Sequence, residues 1–374
     1  MKLIRVFTVF LIQLCFSTFA QEKSNIHLRL IGEFVIPHNF SYEGTCFGGI
    51  SGIDKLSNNQ WVFISDDMSE RNPSRIYTVQ ILYDAFKIDT VFIDEVIFLK
   101  TKEDNFFSSI SKIEKVKAKN VSDSESIRYN VKNNSLICTN EGFFDNDILI
   151  QPTIWETDMD GKFIKYIDVP KNLFFDTLHM QGLRHNLTFE GISLSEDGNY
   201  LWVSNEGSLI QDGATSNALN NSPIRISKVK LASGKLEAQY SYLPDKTPIQ
   251  PDDVNDFSEN GISEILSLSD NKLLVLERSY TQRKGNSIRL YETDFSKTEN
   301  IMDSYSLEKP FKIANKKNIL DFSALKTSKV DNIEAMAWGT ILPNGNRSIV
   351  FVSDNNFNDR QISQIIICEL IEEK

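Results

Sequence analysis

The sequence predicts an all-β fold, a single β-propeller whose ring is closed by its own N-terminal strand. Three observations carry that expectation. One hairpin plan occurs five times, its copies recur roughly every 70 residues, and the last copy lacks one strand, which the start of the chain supplies. A ring of such units buries faces that no single sheet could bury alone.

The plan is clearest in LTFEGISLSEDGNYLWVSNEG (187–207), where two short apolar runs, FEGISL and YLWVSN, flank an Asp-Gly turn signal. GGISGIDKLSNNQWVFISDD (48–67), ESIRYNVKNNSLICTNEG (125–142), NGISEILSLSDNKLLVLERS (260–279) and DNIEAMAWGTILPNGNRSIVFVSDNN (331–356) repeat it. Ser51, Glu125, Glu190, Glu264 and Glu334 open the first strands, at spacings of 74, 65, 74 and 70. Further strand candidates follow each hairpin, such as RIYTVQIL (75–82) and TVFIDEVIFL (90–99), or PIRISKVKL (223–231) and AQYSYL (238–243). The fifth unit has only SQIIICELI (363–371) after its hairpin, and HLRLIGEFVIP (27–37) completes it. Five units are counted, and the poorly patterned stretches 83–124 and 295–330 leave room for a sixth blade. KTKEDNFFSSISKIEKVKAKN (100–120) reads as an excursion from the ring. Its spacing of Phe106, Phe107, Ile110, Ile113 and Val116 permits a helix, and a solvated loop fits equally well.

The first 20 residues have Lys2 and Arg5, an apolar run from Val6 to Phe16, and Thr18-Phe19-Ala20 as a small-x-small cleavage site. That is the pattern of a signal peptide, so the mature domain is expected to be 21–374, exported to a periplasm or the extracellular space. The apolar run is too short to span a bilayer, and no later stretch is long enough to do so. Bulky Leu14 before Cys15 argues against a lipid anchor. The 40 basic residues fall to 38 without Lys2 and Arg5, against 51 acids, a balance of about −13. Such a chain carries no nucleic-acid footprint. The mature chain keeps Cys46, Cys138 and Cys368, an odd number without CxxC spacing, which argues against zinc and for buried small apolar residues. No GxSxG elbow, phosphate-binding GxxxxGK[ST] loop or GxGxxG fingerprint is present. QPDDVNDFSEN (250–260) is acidic but lacks EF-hand spacing and reads as a solvated loop.

An antiparallel hairpin folds its start onto its end, so Glu190 and Glu206 should meet at one rim. If all five hairpins point alike, Glu125, Glu141, Glu190, Glu206, Glu264, Glu277, Glu334, Asp66, Asp67 and Asp354 crowd one channel mouth. Like charges this close need a cation. Oxygen-only ligands in a flexible arrangement suit calcium, with Glu125, Glu141, Glu190, Glu264, Glu334, Asp67 and Asp354 as its candidates. Arg184 and Arg278 are expected either to clamp an anionic oxygen or to pair with neighbouring acids.

The runs GLRHNLTFEGISLSEDGNYLWVSNEG, LIQDG (209–213), GISEILSLSDNKLLVLERS, DNIEAMAWGTILPNGNRSIVFVSDNNF and the early GGISGID together resemble the phytase-like family of secreted proteins, to which esterase-like activity is ascribed. The likeness runs from near residue 30 to near residue 370. It implies a propeller distantly akin to the six-bladed, calcium-dependent alkaline phytases. His185 departs from the family pattern, which more often has a small residue there, and reads as a proton carrier or a polar substitution; His179 has no motif support.

Two functions follow. The first is calcium-assisted hydrolysis of a phosphoester or other ester of a small substrate, with Glu190, Glu206, Arg184 and Arg278 as the catalytic candidates. The second is a non-catalytic propeller with a structural cation, binding a ligand or a protein at its mouth.

Overall fold

Short apolar runs between turn signals pair into five four-stranded antiparallel sheets around one channel, in a computed structural model that describes residues 25–112, 120–145, 148–253 and 255–373. Blade 1 runs outward through Ile50–Lys55, Gln60–Ser65, Arg75–Tyr83 and Ile88–Phe98. Blade 2 comprises Ile127–Asn130, Ser135–Asn140, Thr153–Thr157 and Phe163–Ile167, with a small hairpin of Phe143–Asp145 and Ile148–Ile150 between its second and third strands. Blade 3 is Phe189–Leu194, Tyr200–Asn205, Ile224–Lys230 and Lys235–Tyr242. Blade 4 is Ser258–Ser269, Lys272–Thr281, Gly285–Asp294 and Asn315–Asp321.

Blade 5 is Asn332–Ile341, Arg347–Asp354 and Ser363–Glu372, and its outer strand is Ile26–Ile36 from the beginning of the chain. That strand pairs from Ile26 opposite Glu372 to Ile36 opposite Ser363, closing the ring as the sequence predicts. The room left for a sixth blade is taken by outer strands of existing ones, Ile88–Phe98 and Asn315–Asp321, so the propeller has five blades.

The blades are held apolar face to apolar face. Among the described residues one buried cluster fills each junction, for example Val62, Ile76, Leu136 and Trp155 between blades 1 and 2, and Phe63, Tyr77, Val350 and Ile365 between blades 5 and 1. Inner and second strands are therefore buried on both faces and read as continuous apolar runs, while outer strands alternate. Exposed Asp89, Glu95 and Lys165 on those outer strands discourage pairing with another chain's edge. Close approach of neighbouring inner strands needs glycine. A Cβ on Gly52 would come within 2.7 Å of Ser126 Cα, and one on Gly191 within 2.7 Å of Ile265 N.

The signal-peptide assignment lies outside the described residues, as do Ile113 and Val116 of the excursion. Its described part holds a single 3-10 turn, Ile110–Lys112, with Phe107 packed on Trp155 at 6.1 Å between ring centroids. Cys138 and Cys368 are buried free thiols as expected. Cys46 is free too but exposed, at the end of the two-residue strand Thr45–Cys46, where burial was expected.

Candidate functional site

The site is built by a bulge at the start of the inner strands. Register slips between Ile50 and Gly52, Phe189 and Ile192, Ile262 and Glu264, and Ile333 and Ala335. A bulge inserts an unpaired residue and re-aims its side chain, and the inserted residues here are Ser51, Glu190 with Gly191, Ser263 and Glu334. Glu125 takes this place in blade 2, where the Glu141 N–H donates to the Asp123 carbonyl at 2.9 Å, as Glu206 does to Thr188 and Asp66 to Gly49, each at 2.8 Å. The matching ends of the second strands are Asp66, Glu141, Glu206, Arg278 and Asp354.

This register corrects the sequence-based reading of blade 4. Glu264 and Glu277 were expected at the mouth, but the bulge falls on Ser263, and a one-residue shift turns every following side chain to the other face. Ser263 and Arg278 occupy those places instead. Four blades thus present acids, and blade 4 presents the ring's guanidinium. Its Nη2 donates to Glu206 Oε1 at 2.6 Å, and its Nε lies 3.4 Å from Glu334 Oε1.

Eight carboxyls gather at this mouth: Asp66, Asp123, Glu125, Glu141, Glu190, Glu206, Glu334 and Asp354. Asp123, Glu125 and Glu141 can bring one oxygen each within 4.8 Å of one another, a spacing that could hold a metal ion. Burial raises the affinity of every one for a proton. Asp66 and Glu141 are pushed up to about 7 and Glu206 to about 8. Glu190 is raised well above the usual range by burial and then by the charges of Glu206, Glu141 and Glu334, with Arg278 opposing. Asp354 is raised likewise by burial, Asp66 and Glu334, and its Oδ2 has no hydrogen-bond partner among the described residues.

A pH dependence follows. Carboxyls whose folded pKa lies above the unfolded value stabilise the fold fully below about pH 4, and that contribution is lost as pH rises through the folded values. With cations chelated, the melting temperature is expected to fall as pH rises from 5 to 9, because the unfolded chain has already given up the protons that Asp66, Glu141 and Glu206 keep in the fold until about pH 7 to 8. A cation bound among these carboxyls would flatten that fall, because it would take the place of the protons. Chelated melting curves that do not move across this range would remove the ring as the titrating element.

Other predicted residues lie elsewhere. Asp67 turns out of the ring: its carboxylate pairs with buried Arg75 at 2.7 Å and accepts the backbone N–H groups of Glu70, Arg71 and Asn72. Glu277 accepts from Tyr242 Oη at 2.5 Å, Lys316 Nζ at 2.6 Å and Asn260 Nδ2 at 2.8 Å, in a network between blades 3 and 4. Arg184 was expected beside the acids, but its Nε and Nη2 donate to the carbonyls of Ser208 and Gly213 at 3.2 and 2.6 Å, pinning the 208–213 loop. Asp212 of that loop forms a two-point pair with buried Arg225. His185 accepts the Phe144 N–H and packs edge-on against Phe143, while His179 stacks on Phe144 at 4.6 Å. Both hold the 143–150 hairpin against the 174–187 loop. In the 250–260 stretch, Asp252 pairs with Lys284 at 2.7 Å and Asp256 with Arg283, as in a solvated loop, but residues 258–260 open the inner strand of blade 4 and Asn260 is buried.

Glu264 is in the channel, but deeper. Arg128 reaches across the lumen, donating from Nη1 to the carbonyls of Ile53 and Ile127, each at 2.7 Å, and from Nη2 to those of Ile265 and Met336, each at 3.2 Å. These carbonyls belong to the inner strands of four blades. Glu264 Oε2 neutralises Arg128 at 2.7 Å and accepts from Ser126 Oγ at 3.0 Å. The carbonyls of Ile127, Ile265 and Met336 lie two residues along from the ring positions, about 7 Å deeper. Arg128 therefore floors the mouth and makes it a cup.

Sequence reasoning missed Asp123 and Arg128. Alternation along Asp123-Ser124-Glu125 puts both acids on one face, and Arg128 is a charge inside a strand predicted to be buried, a pattern that demands a partner.

A five-bladed ring with a floored, acid-lined mouth defines the class. Residues 45–357 match the family model described as phytase-like, esterase-like activity of phytase, and the chain belongs to that family. No curated protein sequence matches it. Among solved structures, a thermostable family-43 glycoside hydrolase is similar at 11% identity and TM-score 0.42, covering 88% of this chain and 92% of that one. The periplasmic gluconolactonase of Pseudomonas aeruginosa is similar at 9% identity and TM-score 0.37, over 93% and 96%. The WD40 β-propeller domain of Doa1 is similar at 9% identity and TM-score 0.32, over 91% and 96%.

Proposed function

We propose that the protein is an exported, calcium-assisted hydrolase of a phosphoester or other ester. The observation that carries this reading is the mouth itself, where eight carboxyls, most of them buried, surround one guanidinium. So many acids cannot all ionise near neutral pH without a further positive charge. All the donors are oxygens, which suits calcium, and Asp123, Glu125 and Glu141 are the residues that would hold it. Calcium, when bound, polarises a substrate oxygen and lowers the pKa of water.

The chain's own residues supply the rest. Glu190 lies close enough to Glu125 for the two charges to repel strongly, and it takes the proton of the attacking water. Arg278, mostly buried and held by Glu206 and Glu334, stabilises negative charge as it develops on the substrate. Arg128 closes the lumen beneath, so water and substrate enter from one side. Export rests on the pattern of residues 1–20, and the exported protein should begin at Gln21.

The test is hydrolysis by the mature protein of a phosphomonoester, a phosphodiester, phytate and a carboxylic ester, each with calcium and with chelator. Calcium-dependent turnover of any one is expected. No turnover of the panel, alongside calcium-dependent stabilisation, would replace this reading with the non-catalytic binding propeller.

A further inference from the structure

The cup opens sideways. Between blades 4 and 5 a cleft of about 540 Å³ runs from the mouth to the surface, and Arg278 and Asn332 belong to both. Asn332 Nδ2 donates to Glu334 Oε1 at 2.9 Å, so the cleft begins at the acid ring itself.

Its charge is opposite to the ring's and to the chain's. Arg278, Lys284, Lys329 and Arg360 line it against two acids, Glu259 and Asp331, in a protein of formal net charge −11. Asp331 is already committed: its carboxylate accepts the N–H groups of Asn332 and Ile362 and pairs with Lys329 at 2.8 Å. Lys329 also donates to the Arg360 carbonyl at 2.7 Å, and Lys284 pairs with exposed Asp252. The exposed Arg360 guanidinium has no partner among the described residues. Around it the lining is amides: Asn286, Asn356, Asn358 and Gln361. Asn356 and Phe357 both hold left-handed backbone, φ 45° and 48°, which costs free energy for a residue such as phenylalanine and is retained where surrounding structure enforces it. The Phe357 ring lies under Arg71 at 4.6 Å, and the Asn356 N–H donates to ring member Asp354 at 2.9 Å. The turn that carries the cleft wall is thereby tied to the mouth.

We infer that this cleft is an anion subsite that takes the non-reacting end of the substrate, a carboxylate or phosphate carrying hydroxyl groups, with Arg360 as its principal anchor. A free guanidinium offers a two-point grip on either anion, and amide side chains both donate to and accept from hydroxyls. A neutral ester would leave the Arg360 guanidinium unanswered. The ligand class rests on the hydrolase reading, since it describes what the reacting group is attached to; the cleft's anion binding does not.

The experiment measures binding rather than turnover. Calcium-loaded wild-type protein and Arg360→Gln are titrated calorimetrically at low salt with glucose 6-phosphate, gluconate and neutral glucose. Wild type is expected to bind one or both anions and not glucose, and Arg360→Gln to bind them about tenfold more weakly, with unchanged calcium affinity and melting temperature. Preference for one anion identifies phosphate or carboxylate as the group recognised. Lys329→Gln, which sits beside Arg360, should weaken the same anions less. Equal affinity in wild type and Arg360→Gln, glucose binding as tightly as the anions, or no anion binding would overturn the inference. Anion binding lost in Arg360→Gln with no ester turned over would strike the hydrolase reading alone; calcium-dependent turnover with unaltered Arg360→Gln binding would strike only the cleft.

Discussion

Glu190→Gln is expected to lower kcat on whichever ester the protein hydrolyses by about 10³, the scale on which a positioned general base contributes. The substitution keeps shape and hydrogen-bonding capacity and removes only the ability to hold a proton reversibly. Glu190 is buried among Glu125, Glu141, Glu206 and Glu334, so neutral glutamine also relieves repulsion. The variant should therefore melt no lower than wild type in chelator at pH 8, which separates lost chemistry from lost fold. Calcium at about 100 times its Kd should still raise the melting temperature by about 4 °C, since Asp123, Glu125 and Glu141 remain. Glu125→Gln should instead lose turnover and that calcium response together. If Glu190→Gln kept full turnover, the base assignment would be wrong. If it lost the calcium response, Glu190 would move from base to ligand.

The fold was legible because each blade repeats a local code. Two apolar runs about an Asn or Asp-Gly turn, recurring near every 70 residues, suggest a ring, and the missing outer strand in unit five pointed to Ile26–Ile36. The mouth was half legible. Glu125, Glu190 and Glu334, with Glu141, Glu206 and Asp354, follow from hairpin geometry because inner-strand starts and second-strand ends share a rim. Glu264 and Glu277 did not follow, since bulges are set by backbone pairing and leave no mark in composition; Ser263-Glu264 and Glu277-Arg278 each offered two polar residues in succession, and the sequence has no term that chooses between them. Asp67 failed for the same reason beside Asp66. Arg184 was placed by nearness in sequence to Glu190, yet its guanidinium follows the 208–213 loop, whose path is decided by tertiary contacts. The cleft between blades 4 and 5 was invisible, because Arg278, Lys329 and Arg360 come from three separate segments.

The same limit hid the residue with the largest expected effect on stability. Arg128→Met should destabilise the protein by about 3–5 kcal/mol, read from denaturant unfolding of the calcium-loaded protein. Arg128 is 2% exposed, and four of its hydrogen bonds end on carbonyls from the inner strands of four different blades. Methionine fills the lumen with similar volume but donates nothing, so these carbonyls lose a partner inside a protein interior. Glu264 is left worse off, as a fully buried carboxyl for which Arg128 is the one cationic partner among the described residues. Burial already pushes Glu264 up to about 7, and without the guanidinium its carboxyl must take up a proton to remain inside. Adding Glu264→Gln to Arg128→Met removes the orphaned charge but not the orphaned carbonyls, so the double variant should recover about half of the loss. The single variant should also weaken as pH rises from 6 to 8, more steeply than wild type, while the double variant should not share that extra slope. Arg128→Met within about 1 kcal/mol of wild type would mean that the blades' apolar junctions hold the ring unaided and that the floor of the cup is dispensable to the fold.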